Sequence, residues 1–445
     1  MRNACLALPI LLGSSLLGCQ KEKATPTVDG DEELHARLLK EFEGSYVEDA
    51  PASTGVRSFT MTAKESEVEL FEGTRMKVWA YDEQVPGPVF RIKLGETFRL
   101  DFKNELPMDT TIHFHGVRVP NAMDGVPGVT QPPIKPGESF LYEFVPKDAG
   151  TFWFHPHVRG SEQVERGLFG VLIVEDPDEA PYSQDVVWVL DDWRLGKDGQ
   201  IDPRFMTPGD LMHDGRWGQH ITVNGKTREE LQVKAGERIR LRLVNTSNGR
   251  VYTPTFEGLD AKVIAVDGLY SSKPLPAEGW AIAPGNRLDL DITFREDQQG
   301  EVFTIEDMFT RRTHPLADIR VLSEVVPTPD FASPATAYVP AWADGLKAEI
   351  HTELSLQARR GGKHGIQWLI NDKAYGEHEV QALAKDKWHR MRFTNLSGRN
   401  HPMHIHGQFF KVLSRDGDHQ GEPFFRDTVL VRPRQTVDVG IVPLD

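Results

Sequence analysis

Residues 92–104 read IKLGETFRLDFKN, an alternation of apolar and polar residues that ends in asparagine. The chain repeats this pattern twice more, as VKAGERIRLRLVN at 233–245 and as ALAKDKWHRMRFTN at 382–395. The closing residues are Asn104, Asn245 and Asn395, which lie 141 and 150 residues apart. Alternation with a period of two is typical of a half-buried β-strand, and a long fixed period indicates repeated structural units. The spacing therefore predicts three β-sandwich units of similar size.

A second landmark, a proline turn followed by a strand, recurs in the same order within each unit. It reads KPGESFLYEF after Ile134, APGNRLDLDITF after Ile282 and RPRQTVDVGIV after Val431. Short alternating strands between Gly and Pro turns are typical of sandwich folds. We therefore expect an all-β protein with three Greek-key sandwich domains. Their predicted ranges are 56–178, 179–330 and 331–445.

Composition and charge narrow the class of protein. The 445 residues are 39% hydrophobic and 26% charged, with 39 Gly and 30 Pro, which is typical of a folded chain rich in turns. The formal net charge of −15 argues against a nucleic-acid partner, because such a protein needs a basic face. The two cysteines are Cys5 and Cys19. The body of the chain therefore cannot be a disulfide scaffold, a Cys-ligated zinc protein or a Cys-dependent hydrolase.

The first 19 residues, MRNACLALPILLGSSLLGC, predict an export signal. A basic start at Arg2 precedes an apolar run over 6–12 that is too short to span a membrane. The ending LLGC resembles a bacterial lipoprotein signal, which would be cut before Cys19 and leave that thiol lipidated; an ordinary signal peptide is the alternative. We expect a protein of the bacterial periplasm or cell envelope, attached to membrane only through Cys19. We interpret 20–55 as a polar tether with one short helix around 31–43.

Histidine pairs recur at matching positions in the outer two units. They lie nine and eleven residues after the closing asparagine, as His113 and His115 in the first unit and as His404 and His406 in the third. The middle unit has proline and phenylalanine at these offsets. Residues i and i+2 of a strand point to the same side, so each pair directs two imidazoles to one place.

A third pair, His155 and His157, follows the proline turn of the first unit, and His401 comes just before the pair of the third unit. Three converging pairs would supply six imidazole nitrogens, more than one tetrahedral zinc can use. Imidazole suits copper, which binds most strongly among the divalent first-row metals. The sequence therefore predicts a multinuclear metal centre between the first and third units.

Five segments resemble the multicopper oxidase family, the laccase-like enzymes. They are HFHG at 113–116, MDGVPGVTQPPI at 123–134, GTFWFHPH at 150–157, WLINDKAY at 368–375 and HPMHIHG at 401–407. The resemblance covers about 56–445 and implies three cupredoxin-like domains. Members of the family take electrons singly from a reductant at a type 1 copper and reduce dioxygen to water at a trinuclear cluster. The resemblance thus implies a copper cofactor. It also implies a monomer whose partners are dioxygen and a phenol-like or metal-ion reductant.

The same resemblance implies residue roles. The type 2 ligands are matched by His113 and His404, the type 3 ligands by His115, His155, His157 and His406, and one type 1 ligand by His401. Asp124 matches an acid that helps to deliver protons. A carboxylate suits this role because making water needs protons at a site shielded from solvent. The alternative for Asp124 is a turn-forming residue before Gly125.

One family motif, H-C-H-x-x-x-H, has no counterpart in the 445 residues. It would supply two more type 3 ligands together with the cysteine and a second histidine of the type 1 site. The internal repeat places it at about residue 452, because His155 lies nineteen residues after Pro136 and the equivalent proline is Pro433. We therefore expect a third domain that is incomplete at its C-terminus. The type 1 site then lacks the thiolate that blue copper chemistry requires.

Two hypotheses follow from the sequence. The first is a copper-dependent oxidoreductase that couples one-electron oxidation of a phenol-like compound or a metal ion to the reduction of dioxygen. The alternative is a non-catalytic protein of the cell envelope that binds or sequesters copper. The sequence does not distinguish among the reductants that the family uses.

Overall fold

The computed structural model describes residues 28–46, 49–71, 73–362, 365–378 and 380–444. The predicted export signal and Cys19 lie outside these residues. Within them strands predominate, and the α-helices are α1 (Val28–Phe42), α2 (Gly160–Glu165) and α3 (Pro208–Met212). The prediction of an all-β fold is confirmed.

The first unit packs two four-stranded sheets, ordered β2-β1-β4-β6 and β3-β8-β7-β5. In its strand β4, Phe98, Leu100 and Phe102 are buried while Arg99 and Asp101 are exposed, so the alternation read in the sequence directs one face into the core. The strands are β1 (Gly55–Phe71), β2 (Thr74–Tyr81), β3 (Val89–Lys93), β4 (Glu96–Asn104), β5 (His113–His115), β6 (Ser139–Phe144), β7 (Gly150–His155) and β8 (Gly170–Glu175).

The second unit has a six-stranded sheet, β10-β9-β12-β15-β13-β14, and a three-stranded sheet, β11-β17-β16. Phe256 stands where the outer units carry the second histidine of a pair, and it is buried in the core of this unit. An apolar contact thus replaces a histidine there. The strands are β9 (Gln184–Trp193), β10 (His220–Val223), β11 (Glu229–Ala235), β12 (Arg238–Asn245), β13 (Asp260–Val266), β14 (Leu269–Pro276), β15 (Arg287–Thr293), β16 (Val302–Asp307) and β17 (His314–Val325).

The third unit has a six-stranded sheet, β19-β18-β20-β25-β22-β23, and the pair β21-β24. The histidine strand β5 of the first unit pairs with β7, which carries His155, whereas β21 pairs with β24, which carries no histidine. The strands are β18 (Thr352–Arg360), β19 (Ile366–Ile370), β20 (His389–Asn395), β21 (His401–His404), β22 (Phe410–Arg415), β23 (Asp418–His419), β24 (Thr428–Val431) and β25 (Thr436–Ile441).

The three repeated asparagines are buried and make the same hydrogen bonds. In each unit the Oδ1 atom accepts from the backbone N–H two residues later. The Nδ2 atom donates to a carbonyl four or five residues later and to another that is 30 or more residues later. These bonds hold the start of the loop that leads to the histidine position. The backbone partners are Leu106, Met108 and Ile134 for Asn104, Ser247, Arg250 and Ile282 for Asn245, and Ser397, Arg399, Val431 and Arg432 for Asn395.

Helix α1 lies in the segment interpreted as a polar tether, and it packs against the third unit. Leu38 and Phe42 are buried, and the Phe42 ring lies 6.2 Å from Trp342 and 6.3 Å from Phe425. The Trp342 indole also donates to the Leu38 carbonyl at 2.9 Å. Part of 20–55 is therefore a docked helix, because apolar residues four apart form one face. No helix in the described residues is long and apolar enough to cross a membrane.

Candidate metal centre

Six of the predicted histidines converge between the first and third units. Antiparallel pairing of β5 with β7 places His113 opposite His155. The closest ring centroids join the two units, at 3.6 Å between His115 and His404 and 3.8 Å between His113 and His406. Residues nearly 300 positions apart thus meet at one site because the two histidine strands face each other.

The donor atoms of these side chains form three close groups, in each of which the ligand atoms lie within 4.8 Å of one another. His113 belongs to all three groups and therefore lies at the middle of the centre. The partners of His113 are His155 with His157, His115 with His404, and Asp124 with His406.

Backbone carbonyls set the tautomers of two central histidines. The Nδ1 atom of His113 lies 2.8 Å from the Asp124 carbonyl oxygen, and that of His404 lies 2.8 Å from the Asp427 carbonyl oxygen. A carbonyl oxygen can only accept, so each Nδ1 carries the hydrogen and each Nε2 presents a lone pair. Both Nε2 atoms are buried and have no hydrogen-bond partner among the described residues. A neutral imidazole oriented in this way is the form that binds a metal.

Burial keeps these histidines uncharged. It is the largest cause that lowers the pKa of His113 to about 3 and the pKa of His157 to about 4, and the neighbouring His406 adds to both shifts. Burial also lowers the pKa of His115, His155 and His404. These five imidazoles are therefore neutral at neutral pH, as copper ligation requires.

Asp124 ends a short 3-10 turn, Asn121–Met123, and joins the same centre. Its carboxylate oxygens lie 3.0 and 3.1 Å from His406 Nδ1, and one lies 3.2 Å from His113 Nδ1. Burial alone would raise the pKa of Asp124, but the hydrogen bonds from His113 and His406 hold that pKa below its ordinary value. Gly125 has φ +80°, and a Cβ there would lie 1.9 Å from the Ile112 carbonyl oxygen. Glycine thus lets the turn close over the histidine strand.

Two residues of the third unit contact the centre although the sequence did not identify them. The Thr428 hydroxyl lies 3.0 Å from His115 Nε2 and 3.2 Å from His404 Nδ1. It donates to the Asp427 carboxylate at 2.8 Å, and that carboxylate lies 3.3 Å from His115 Nε2. Asp427 and Thr428 therefore orient one histidine from each outer unit.

Arg287 of the second unit fixes Asp427 in turn. Its guanidinium uses all five N–H groups, two of them on the Asp427 carboxylate at 2.6 and 3.0 Å. The other three donate to the carbonyls of Thr151, Asp267 and Gly285 at 2.7–3.0 Å. The partners belong to all three units, so the unit without ligands still organises the centre. Arg287 follows the repeated proline turn, and that position is the one sequence signal that marks it.

His401 lies apart from the other histidines. It is three residues from His404 on β21, and residues three apart in a strand point to opposite faces. Its Nε2 atom lies 2.9 Å from the Ser397 hydroxyl, and its ring meets Trp368 edge-on at 5.1 Å. A cavity of about 450 Å³, which Met403 also lines, adjoins it. The sequence contains no cysteine beyond Cys19 that could join His401 in a type 1 site.

The six-histidine centre opens into a cavity of about 440 Å³. The second unit closes one side of this cavity with 246–248 and with Pro284 and Gly285. Gly285 has φ +87°, and a Cβ there would lie 2.8 Å from the His115 ring. A side chain at this position would therefore displace a ligand.

Comparisons with known proteins agree with this arrangement. Sequence models described as multicopper oxidase match residues 62–179, 184–318 and 348–443. The solved structure of a multicopper oxidase from Pseudomonas thermotolerans is 32% identical, covers 87% of this chain and 92% of its own, and has a TM-score of 0.76. A multicopper oxidase from Campylobacter jejuni, described as a metallo-oxidase, is 25% identical, with 88% of each chain covered and a TM-score of 0.74.

A protein relative from Staphylococcus aureus, the multicopper oxidase mco, is 26% identical over 402 residues, which are 88% of this chain and 83% of the relative. The three matched segments follow the order of the three sandwich units along the chain. The fold, the neutral histidine cluster and these likenesses lead to one conclusion. The chain belongs to the multicopper oxidase family and is a copper-dependent oxidoreductase of that type.

Proposed function

We propose that the six-histidine centre holds a trinuclear copper cluster at which the protein reduces dioxygen to water with electrons from a one-electron reductant. The observation that carries the proposal is the pair of buried Nε2 lone pairs on His113 and His404, which no hydrogen-bond donor in the described residues satisfies. A buried polar atom without a partner costs about 1–3 kcal/mol, and a bound metal ion would remove that cost.

The ligand roles follow the family resemblance. His113 and His404 would hold the type 2 copper, and His115, His155, His157 and His406 would hold the type 3 pair. Bound copper would supply the one-electron redox chemistry. The chain's own groups orient the imidazoles through the carbonyls of Asp124 and Asp427.

Asp124 would serve proton delivery. Conversion of one dioxygen to two waters consumes four electrons and four protons, so the site needs a group that passes protons inward. The Asp124 carboxylate contacts His406 and His113 at the centre and keeps slight exposure, with 11% of its side chain accessible. It can therefore take a proton from solvent and present it beside the histidines.

Electron entry would involve His401, with a phenol-like compound or a metal ion as the reductant. His401 and His404 lie on opposite faces of β21, so this strand separates His401 from the cluster. We also propose export to the periplasm or cell envelope, with Cys19 as the lipid attachment point, because the first 19 residues have the pattern of a lipoprotein signal.

Copper stoichiometry tests the centre. We expect copper-loaded and dialysed protein to retain copper, and the variant with both His113→Gln and His404→Gln to lose most of it. His419→Gln is the matched control, because His419 is exposed on the short strand β23. Equal copper retention by the double variant and the unchanged protein would contradict the proposed ligands.

Dioxygen chemistry is tested separately on copper-loaded protein in the presence of an excess of a one-electron reductant, which supplies the four electrons that each dioxygen needs. We expect dioxygen uptake without accumulation of hydrogen peroxide, since the proposed product is water. Stoichiometric release of hydrogen peroxide would refute a four-electron reduction, and it would leave the copper ligands established by the first experiment intact.

A further inference from the structure

A cavity of about 540 Å³ lies between the second and third units, away from the histidine centre. The end of β14 and the turn after it form one wall, and the loop between β23 and β24 forms the other. Small-molecule sites occupy clefts of roughly this size and favour boundaries between domains. The wall residues that carry charge or an aromatic ring are Glu278, Trp280, Arg415, Glu422, Phe424, Arg426 and Arg432.

Positive charge is in excess inside this cavity. Arg426 makes a two-pronged ion pair with Glu422, at 2.8 and 3.3 Å. The same carboxylate is 3.8 Å from Arg415, too far for a hydrogen bond. Glu278 is exposed and accepts from the Phe256 backbone N–H. One carboxylate thus serves two guanidinium groups, and the cavity wall carries three arginines against two glutamates.

Most side-chain N–H groups of Arg415 have no hydrogen-bond acceptor among the described residues. Its side chain is 23% exposed, and the hydrogen bond from Nη1 to the Leu430 carbonyl, at 3.1 Å, is the one that it makes within the described residues. Burial, with Arg426 and Arg432 nearby, lowers the pKa of Arg415. A planar guanidinium with free N–H groups matches the geometry of a carboxylate.

An aromatic surface adjoins this cation. The rings of Trp280 and Phe424 lie 5.5 Å apart and are tilted by 50°. The Trp280 indole N–H already donates to the Pro276 carbonyl at 2.8 Å, so the tryptophan offers apolar ring surface rather than a donor. Phe424 is buried beneath Arg426, so the accessible ring is that of Trp280. A flat apolar body would pack against this ring while its anionic end reaches Arg415.

We propose that this cavity binds an aromatic carboxylate, with the carboxylate on Arg415 and the ring against Trp280. The net charge of −15 repels anions from the protein as a whole, so binding there depends on the local arginine cluster. The proposal does not rest on the function proposed for the histidine centre.

Calorimetric titration of the full chain with benzoate at low ionic strength tests the site. We expect benzoate to bind and Arg415→Gln to weaken binding at least tenfold, since the charge-assisted pair is lost. Benzyl alcohol, which has the ring without the charge, should bind at least tenfold more weakly than benzoate. Arg311→Gln is the matched control, because Arg311 is an exposed arginine outside the cavity, and it should bind benzoate as the unchanged protein does.

A second variant keeps the test decisive if Arg415→Gln unfolds, which thermal melting would reveal. Trp280→Leu preserves every charge and should weaken benzoate severalfold while leaving inorganic phosphate unaffected. No benzoate binding, or binding that neither variant alters, overturns the proposal. Phosphate binding as tight as benzoate binding also overturns it, because charge alone would then account for the site.

Discussion

Replacement of Arg287 should lower both the free energy of unfolding and the affinity for copper. Its guanidinium is fully buried, and all five N–H groups donate to acceptors from the three units. Arg287→Gln would leave the Asp427 carboxylate buried without its ion pair. Breaking a buried pair by removing one partner costs about 3–5 kcal/mol, because the remaining charge is uncompensated.

The same substitution should weaken copper binding. Asp427 contacts His115 through its carboxylate and His404 through its backbone carbonyl, so a displaced Asp427 disturbs one ligand from each outer unit. Loss of a group that orients metal ligands costs roughly 10–100-fold in metal affinity. Copper affinity, measured by competition with a chelator of known strength, should fall within that range in Arg287→Gln.

Arg240→Gln is the matched control for this prediction. Arg240 is as buried as Arg287, lies on β12 of the same sheet, and pairs with Asp289 at 2.7 Å and with Glu179. Its partners do not include the histidines or Asp427. We expect a comparable loss in the free energy of unfolding, measured in urea, with unchanged copper affinity. Copper binding that is unaffected in Arg287→Gln, or equally weakened in Arg240→Gln, would refute the reasoning.

Three further predictions follow. Asp192→Asn should cost about 3–5 kcal/mol in unfolding free energy by leaving the buried Arg250 unpaired, and Asp191→Asn should cost less, because burial raises the pKa of Asp191 and disfavours its charged form; equal urea midpoints would contradict this. Copper-free protein should lose stability as the pH falls below about 6.5, because histidines gain protons there in the unfolded chain. In the folded protein the pKa of His157 is about 4 and that of His113 is about 3, so these side chains stay neutral. A urea midpoint that stays constant from pH 7 to pH 5 would contradict this prediction. The copper-loaded 445-residue chain should lack the intense blue absorption of a copper thiolate, since it has no cysteine beyond Cys19, and a blue solution would disprove that.

The sequence by itself determined the all-β fold, the threefold repeat and the histidine pairs. Alternation within a strand and the i, i+2 spacing of ligands are local properties, so a pattern of a few residues carries them. The repeat also showed that the middle unit has Phe256 where the outer units have histidine, and in the structure this side chain lies in the apolar core.

Only the tertiary structure decided how the units support the centre. Arg287 and Asp427 are 140 residues apart, and Trp342 meets the carbonyl of Leu38 across 304 residues. The segment that looked like a tether therefore contains a docked helix, and Arg287 of the middle unit holds Asp427, which contacts His115 and His404. Such contacts depend on how whole sheets pack, and a local pattern of side chains does not encode the packing of distant units.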